Sequence, residues 1–342
     1  MTAIRDIAIA AGVSVGTVSN YLNDPGMLTE KTRQKIKAKI EELDYHPHAA
    51  ARSLKSRQTR RIGLVPIISS EDNRSSNPGD NAFLELLSGL NTVAGENGYD
   101  ILLSSATNER QEYQTYERLI GESQVDGIVL MGIRPQDERL RFFIEKKFPF
   151  IIFGRSNDSI DYPYVDVDGA LGIELAIHHL AALGHQRIAY ITPPDELMCT
   201  KQRWIGYIKG MEDHHLQIDK NYVIEGGFTE RAGQIATHLL LDLPVPPTAI
   251  ITANDNCAFG TMRTIQARGF LVAKDISVIG FDDIALAEHW QPSLTTISQP
   301  FRKIGFELMH SLFAIINGEK SIPRILLEPG LVIRHSTARC AS

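Results

Sequence analysis

The 342-residue chain lacks the patterns that mark most enzymes, metal proteins and secreted proteins. Its three cysteines, Cys199, Cys257 and Cys340, are far apart and form no CxxC pair. Neither a disulfide framework nor a zinc site is therefore expected, and a reducing cytoplasm suits the chain. No run of about 20 apolar residues occurs, and the opening Met1-Thr2-Ala3-Ile4-Arg5-Asp6 has no long apolar segment, so neither membrane spanning nor secretion is expected. GxGxxG, P-loop, HExxH and GxSxG motifs are missing. The neighbours His178-His179 and His214-His215 would diverge on a helix instead of sharing a metal. These absences predict a protein that is not an enzyme and carries no metal or cofactor.

Positive charge is also scarce overall, with 35 Lys+Arg against 41 Asp+Glu. The scarcity is uneven. Residues 1 to 61 hold 11 Lys+Arg against 6 Asp+Glu, a net of +5, which leaves 24 against 35, a net of -11, for the rest. A basic end on an acidic body points to contact with a polyanion at that end alone. The apolar share of 43% and charged share of 22% are those of a folded globular protein. The length fits a small module joined to a two-lobed body.

In the basic end, Ile4, Ile7, Ala8 and Ala11 fall on one face of a short helix. Gly12 then supplies the left-handed conformation of a sharp turn, and Val13 plugs a small core. Ser14 is a good cap for a second helix whose Val18 and Leu22 face inward. Two short helices about a tight glycine turn form a helix-turn-helix. In that motif the start of the second helix enters the major groove, so Val15, Gly16 and Asn20 meet base edges while Ser14, Thr17, Ser19 and Asn23 lie near phosphates. Taken one at a time, these residues could equally be helix caps and surface groups; the run as a whole points to DNA.

A third helix is expected from about Thr29, with Ile36, Ile40 and Leu43 buried and its Lys and Arg side chains outward. The stretch from Tyr45 to Lys55 then offers Pro47 and three alanines to a helix that has almost nothing to bury, too short to be stable alone. On residue types it reads as a linker helix.

From Ile62 onward, short apolar runs alternate with helical patterns. Ile62 to Val65, Ile101 to Ser104, Gly127 to Met131 and Phe150 to Phe153 form a first set of buried strands. Tyr164 to Val167, Arg187 to Ile191, Val223 to Glu225, Ala249 to Thr252 and Ser277 to Phe281 form a second. Such alternation predicts α/β architecture with doubly wound parallel sheets, and the length allows two of them. Ligands of open parallel sheets sit beyond the carboxyl ends of the strands. Those ends carry Gly154-Arg155, Asn254-Asp255 and Asp282-Asp283, with Arg203 and Phe228 nearby. Charged and amide groups beside an aromatic face suit a polyol ring. Each residue also has a plainer reading: Asn254 or Asp282 as caps, Arg203 as a surface ion pair, Phe228 as core.

The runs Asp6-Ile7-Ala8, Ala11-Gly12-Val13-Ser14, Thr17-Val18-Ser19, Leu22-Asn23 and Ala51-Arg52-Ser53-Leu54-Lys55 resemble the lactose-repressor/galactose-repressor family of bacterial regulators. The resemblance continues in Leu183-Gly184-His185-Gln186-Arg187-Ile188-Ala189, Asp275-Ile276-Ser277-Val278-Ile279-Gly280-Phe281-Asp282-Asp283 and Pro292-Ser293-Leu294-Thr295-Thr296-Ile297. It implies a helix-turn-helix headpiece over residues 1–46, a hinge helix and linker over 47–60, and a periplasmic-binding-protein-like core over 61–342. The first lobe of that core is expected at about 61–160 and 292–324, the second at about 161–291 and 325–342. It also implies that Ala51, Leu54 and Lys55 meet DNA, with Leu54 wedged into the minor groove. Phe83, Arg203, Phe228, Asn254 and Asp282 fall on positions that serve the effector. Arg155, within Phe153-Gly154-Arg155 and followed by Asp161 to Asp168, resembles members that respond to disaccharides and α-glucosides. The polar segment Ser69 to Asn81 is expected as a loop at the cleft mouth.

Asn20 departs from the Arg or His that many relatives carry; Arg tends to read guanine and Asn adenine, so the operator need not be the usual one. The partners expected are double-stranded operator DNA, a small effector, and a second copy of the chain, since no heptad tail follows Arg334. A purine corepressor, or a sugar-binding protein without a DNA role, would fit parts of the same pattern. The charge split generates the first test. Binding of the full chain to a duplex from its own upstream region should weaken by about 10³ or more between 50 and 200 mM salt if several phosphates are neutralised. An affinity indifferent to salt contradicts phosphate contact by the basic end.

Overall fold

The computed structural model describes residues 3–45, 58–68, 81–156 and 160–340, with the side chain of Asn23 also outside that set. Contacts divide the chain into two units, Met1–Arg60 and Arg61–Ser342.

In the first unit, helices α1 (Ile4–Ala11), α2 (Val15–Asn23) and α3 (Glu30–Glu42) enclose a small core. Ile7, Ala8, Ala11, Val18, Ile36 and Tyr45 are buried there, and Val13, Leu22, Ile40 and Leu43 pack against them. The interhelical turn rests on Gly12, whose φ of 61° is left-handed. The Ser14 hydroxyl oxygen accepts from the Thr17 N–H at 3.0 Å and so satisfies one of the free donors that open α2.

The second unit holds two six-stranded sheets. One contains β1 (Arg61–Leu64), β2 (Asp100–Leu103), β3 (Gly127–Leu130), β4 (Phe150–Phe153), β5 (Tyr164–Val167) and β11 (Arg324–Leu327), in the order β11-β5-β4-β3-β1-β2. All its pairings are parallel. The other contains β6 (Ile188–Thr192), β7 (Val223–Glu225), β8 (Ala249–Ile251), β9 (Ser277–Asp282), β10 (Thr295–Ser298) and β12 (Gly330–Val332), in the order β12-β10-β9-β8-β6-β7. Only the edge pair β10–β12 is antiparallel. The inner strands, such as β3, β6, β8 and β9, are buried because helices cover both faces, which is why they read as continuous apolar runs.

The lobe boundaries differ from those expected. Tyr164 to Val167, read with the second set, continues the first sheet: Ile152 aligns with Tyr164 and Phe153 with Val165. Thr295 to Ser298, expected in the first lobe, pairs with β9 in the second sheet, and Arg324 to Leu327 pairs with β5. The chain thus changes lobe after Val167 and after Ser298, later than the expected 160 and 291, and after Leu327, close to the expected 325. The physical reason is ladder completion: β4 would otherwise present an unpaired edge, and β5 satisfies it before the chain leaves. Apolar periodicity identifies a strand without saying which sheet it joins.

Helices complete each lobe. In the first, α4 (Asn81–Glu96) crosses α12 (Phe301–Ile316), with α5 (Glu109–Gly121) and α6 (Glu138–Lys146) also present. In the second, α7 (Gly169–Ala182) packs on α8 (Met198–Asp213), α9 (Glu230–Leu241) packs on α10 (Asp255–Ala267), and α11 (Leu286–His289) is a single turn. His178 and His179 of α7 diverge, His179 to the Thr337 hydroxyl at 3.0 Å and His178 to a hydrogen bond at 2.9 Å with His214, just beyond α8. Among the described residues no group of three potential ligands gathers around a metal position. No helix there is long and apolar enough to cross a membrane.

The α4–α12 crossing depends on glycine. A Cβ on Gly89 would lie 2.2 Å from the Arg302 carbonyl oxygen, so only a bare Cα permits the approach. Gly95 in the same helix has open space at that point. Gly89→Ala should therefore destabilise the core by about 1–3 kcal/mol, whereas Gly95→Ala should stabilise it by about 0.5–1 kcal/mol. Urea unfolding midpoints check the pair; equal responses contradict the close crossing.

Candidate functional site

Two surfaces gather the residues singled out from the sequence. On the first unit, Ser14, Val15, Gly16 and Asn20 are exposed along the opening turns of α2, while Thr17 and Ser19 are half-buried. The Ser14 and Thr17 hydroxyls are 2.8 Å apart, so Ser14 serves as a cap as well as a surface group. Val15 is 43% exposed among the polar side chains of that face. Ala51, Leu54 and Lys55 lie outside the described residues, as does most of the segment Ser69 to Asn81.

The second surface is a cavity of about 200 Å³ between the two lobes, at the carboxyl ends of both sheets. Phe83, Arg155, Arg203, Phe228, Asn254 and Asp282 all line it. Each arrives for a local reason. Phe83 is buried on the first turn of α4, and Arg155 follows β4. Asn254 caps α10, its side-chain oxygen accepting from the Cys257 N–H at 2.9 Å, so the plainer cap reading holds for that oxygen. Asp282 ends β9 with φ at 118°, a region a non-glycine residue rarely occupies. Its carboxylate accepts from the Gln299 amide at 2.6 Å. Asp255 stabilises this turn from behind: buried completely, it accepts from the Ile284 N–H at 2.8 Å and the Thr296 hydroxyl at 2.5 Å. Burial first, and the nearby Asp282 charge second, push its carboxyl well above the usual carboxylate range.

Arg203 is not a surface ion pair. It is buried, its guanidinium carbon sits 3.6 Å over the Phe281 ring, and one terminal nitrogen donates to the Ala253 carbonyl at 2.7 Å. Across the cleft, the Nε of Arg155 lies 3.2 Å from a carboxylate oxygen of Asp166, with Asp168 at 3.6 Å from the same guanidinium. Burial raises the Asp166 carboxyl to about 7, against the lowering effects of the Val167 N–H and of the Arg155 and Arg203 charges.

The rim joins the lobes. The Met198 N–H, opening α8, donates to the Ile133 carbonyl at 3.0 Å, and the Met198 side chain packs into a first-lobe cluster. The Gln202 amide donates to the Arg155 carbonyl at 2.9 Å. Behind the Met131–Gly132 wall, buried Arg139 donates to both of those carbonyls and pairs with Glu112 and Asp137. Asp166, Gln202, Gln299, Phe153 and Phe301 also line the cavity although the sequence reading assigned them no role. Asp166 and Gln299 do sit at or just after strand ends, the signal that located the others; Gln202 lies one residue before Arg203 on α8, where only the fold shows which way it faces.

Residues 3–48 match the family model of bacterial regulatory proteins of the lacI family, and residues 177–337 match a periplasmic binding protein-like domain. The HTH-type transcriptional repressor CytR of Escherichia coli (strain K12) is 32% identical over 98% of this chain and 96% of its own length. Among solved structures, the lac repressor dimer bound to operator and the anti-inducer ONPF is 28% identical, covers 98% of this chain and 99% of its own, and superposes with a TM-score of 0.88. A complex of the transcriptional regulator CelR with cellobiose is also 28% identical, covers 98% of this chain and 100% of its own, with a TM-score of 0.75. With identity of this extent running through headpiece and core alike, the chain belongs to the lacI family of DNA-binding transcriptional repressors, which are not enzymes.

Proposed function

We propose that the chain represses carbohydrate-use genes, binds its operator as a homodimer, and is released when a sugar of the disaccharide or α-glucoside type occupies the cleft. The carrying observation is the cavity at the joined sheet ends, where Arg203, Asn254, Asp282 and Gln299 face the rings of Phe83, Phe228 and Phe301. Polar groups that bond adjacent hydroxyls, with aromatic faces for the apolar side of a ring, are what a sugar needs. The cellobiose complex of a relative supports the same ligand class. At about 200 Å³ the cavity is below the ~300–1,000 Å³ usual for ligand pockets. A ligand that bonds both walls of this cavity couples occupancy to lobe placement.

On this reading Val15, Gly16 and Asn20 read bases, Ser14, Thr17, Ser19 and Asn23 hold phosphates, and Ala51, Leu54 and Lys55 act in the minor groove. A homodimer is supported by exposed apolar residues on the core. Ile235 and Leu239 sit one turn apart on α9, and Leu84 and Leu103 flank a shallow surface groove. Two phenylalanines from opposite lobes, Phe83 and Phe228, would also sandwich a planar base, so a purine corepressor is the second reading.

Asp282→Ala separates ligand response from DNA binding. The variant should retain operator affinity within about twofold in a gel-shift assay and lose release by cellobiose or maltose, a loss of the ~1–3 kcal/mol coupling typical of allosteric sites. Normal release by the variant contradicts the cleft assignment. Tighter operator binding with a purine than without it favours the corepressor.

A further inference from the structure

Six buried side-chain polar atoms among the described residues have no hydrogen-bond partner, and three of them, Arg155 Nε, Asp166 Oδ2 and Arg203 Nε, belong to residues lining the one cleft. Buried polar atoms are nearly always bonded, so three exceptions on residues that line one cavity point to groups whose partner comes from that cavity. The Arg155 and Asp166 atoms are 3.2 Å apart, yet their geometry is not that of a hydrogen bond; the contact is Coulombic only.

We propose that Asp166 and Arg155 are the specificity-determining pair of this cleft: they select a ligand that sets one hydroxyl beside both, within reach of each, and its binding expels a proton from Asp166 to solvent. The inference rests on the polyol reading of the cleft and names what that polyol must present to the first lobe. A hydroxyl is the group that can accept from Arg155 Nε and donate to Asp166 Oδ2 together. An ether oxygen accepts without donating, and a deoxy carbon does neither.

The proton follows from what surrounds the carboxyl. Arg155 faces it from the end of β4, Asp168 from the turn after β5, and Arg203 and Cys199 from α8. The two arginines favour the carboxylate and Asp168 opposes it, but burial outweighs them all and the carboxyl is pushed up to about 7. Arg203 has already committed one nitrogen to the Ala253 carbonyl and its face to Phe281, which leaves Arg155 as the near counter-charge. A donated hydroxyl stabilises the ionised form more than the neutral one. Binding therefore lowers the proton affinity of Asp166, and by reciprocity ligand affinity rises with pH through about 7.

Two measurements on the full chain test this. Carbon-13 NMR of the side-chain carboxyls in ligand-free protein, assigned by loss of the signal in Asp166→Asn, should show a midpoint near 7; titration in the ordinary carboxylate range overturns the proposal. Calorimetry with maltose, cellobiose, uridine and adenosine at pH 6 and pH 8 should show any binder about tenfold tighter at pH 8, the factor for one group of that pKa losing its proton. Asp166→Asn should bind more weakly and equally at both pH values. Equal wild-type affinity at pH 6 and pH 8 overturns the proposal. If only the nucleosides bind, the sugar reading fails, while their pH response still decides the role of the pair. If none of the four binds, the polyol reading fails, and the NMR midpoint still decides the state of Asp166.

Discussion

Charged groups buried between two lobes have to be compensated, and the cost of leaving them uncompensated, several kcal/mol per ion, shapes the whole core of this protein. Arg203 lies over the Phe281 ring and bonds a backbone carbonyl; Asp282 takes the Gln299 amide; Arg155 stands against Asp166 and Asp168. The partners come from the ends of β5, β8, β9 and β10. The arrangement survives only if both sheets bring their carboxyl ends to one place, and the three chain crossings keep them there.

The same constraint divides the cavity lining between the lobes. Phe83, Arg155 and Asp166 belong to the first lobe, and Arg203, Phe228, Asn254 and Asp282 to the second. A molecule that completes hydrogen bonds on both walls favours one lobe placement over others, and differential affinity is the only means by which a ligand moves such an equilibrium.

Much of this was legible in the residues. The glycine turn at Gly12 and the cap at Ser14 are local chemistry, and the structure places both as read. The strands appeared as apolar runs because helices bury both faces. Arg155, Asn254 and Asp282 were legible because looking just past strand ends matches how parallel sheets bind ligands, whereas Phe83, on a helix, was marked by the family resemblance alone. Membership of a sheet was not legible. Tyr164 to Val167 and Thr295 to Ser298 were each assigned to the wrong lobe, since partner choice is decided by ladder completion across distant segments. Nor could the sequence show that Asp166 and Arg155 meet without a hydrogen bond, or that Asp282 occupies strained backbone. Those features emerge only when distant side chains compete for the same buried space.

The central claim is that cleft and operator are coupled sites, and reciprocity tests it most directly. Operator affinity should be measured with and without a saturating sugar that binds the cleft, and the affinity for that sugar with and without saturating operator duplex. The account predicts that both affinities fall by one and the same factor, about five- to 150-fold. A sugar that binds equally well to the free protein and to its operator complex would contradict it.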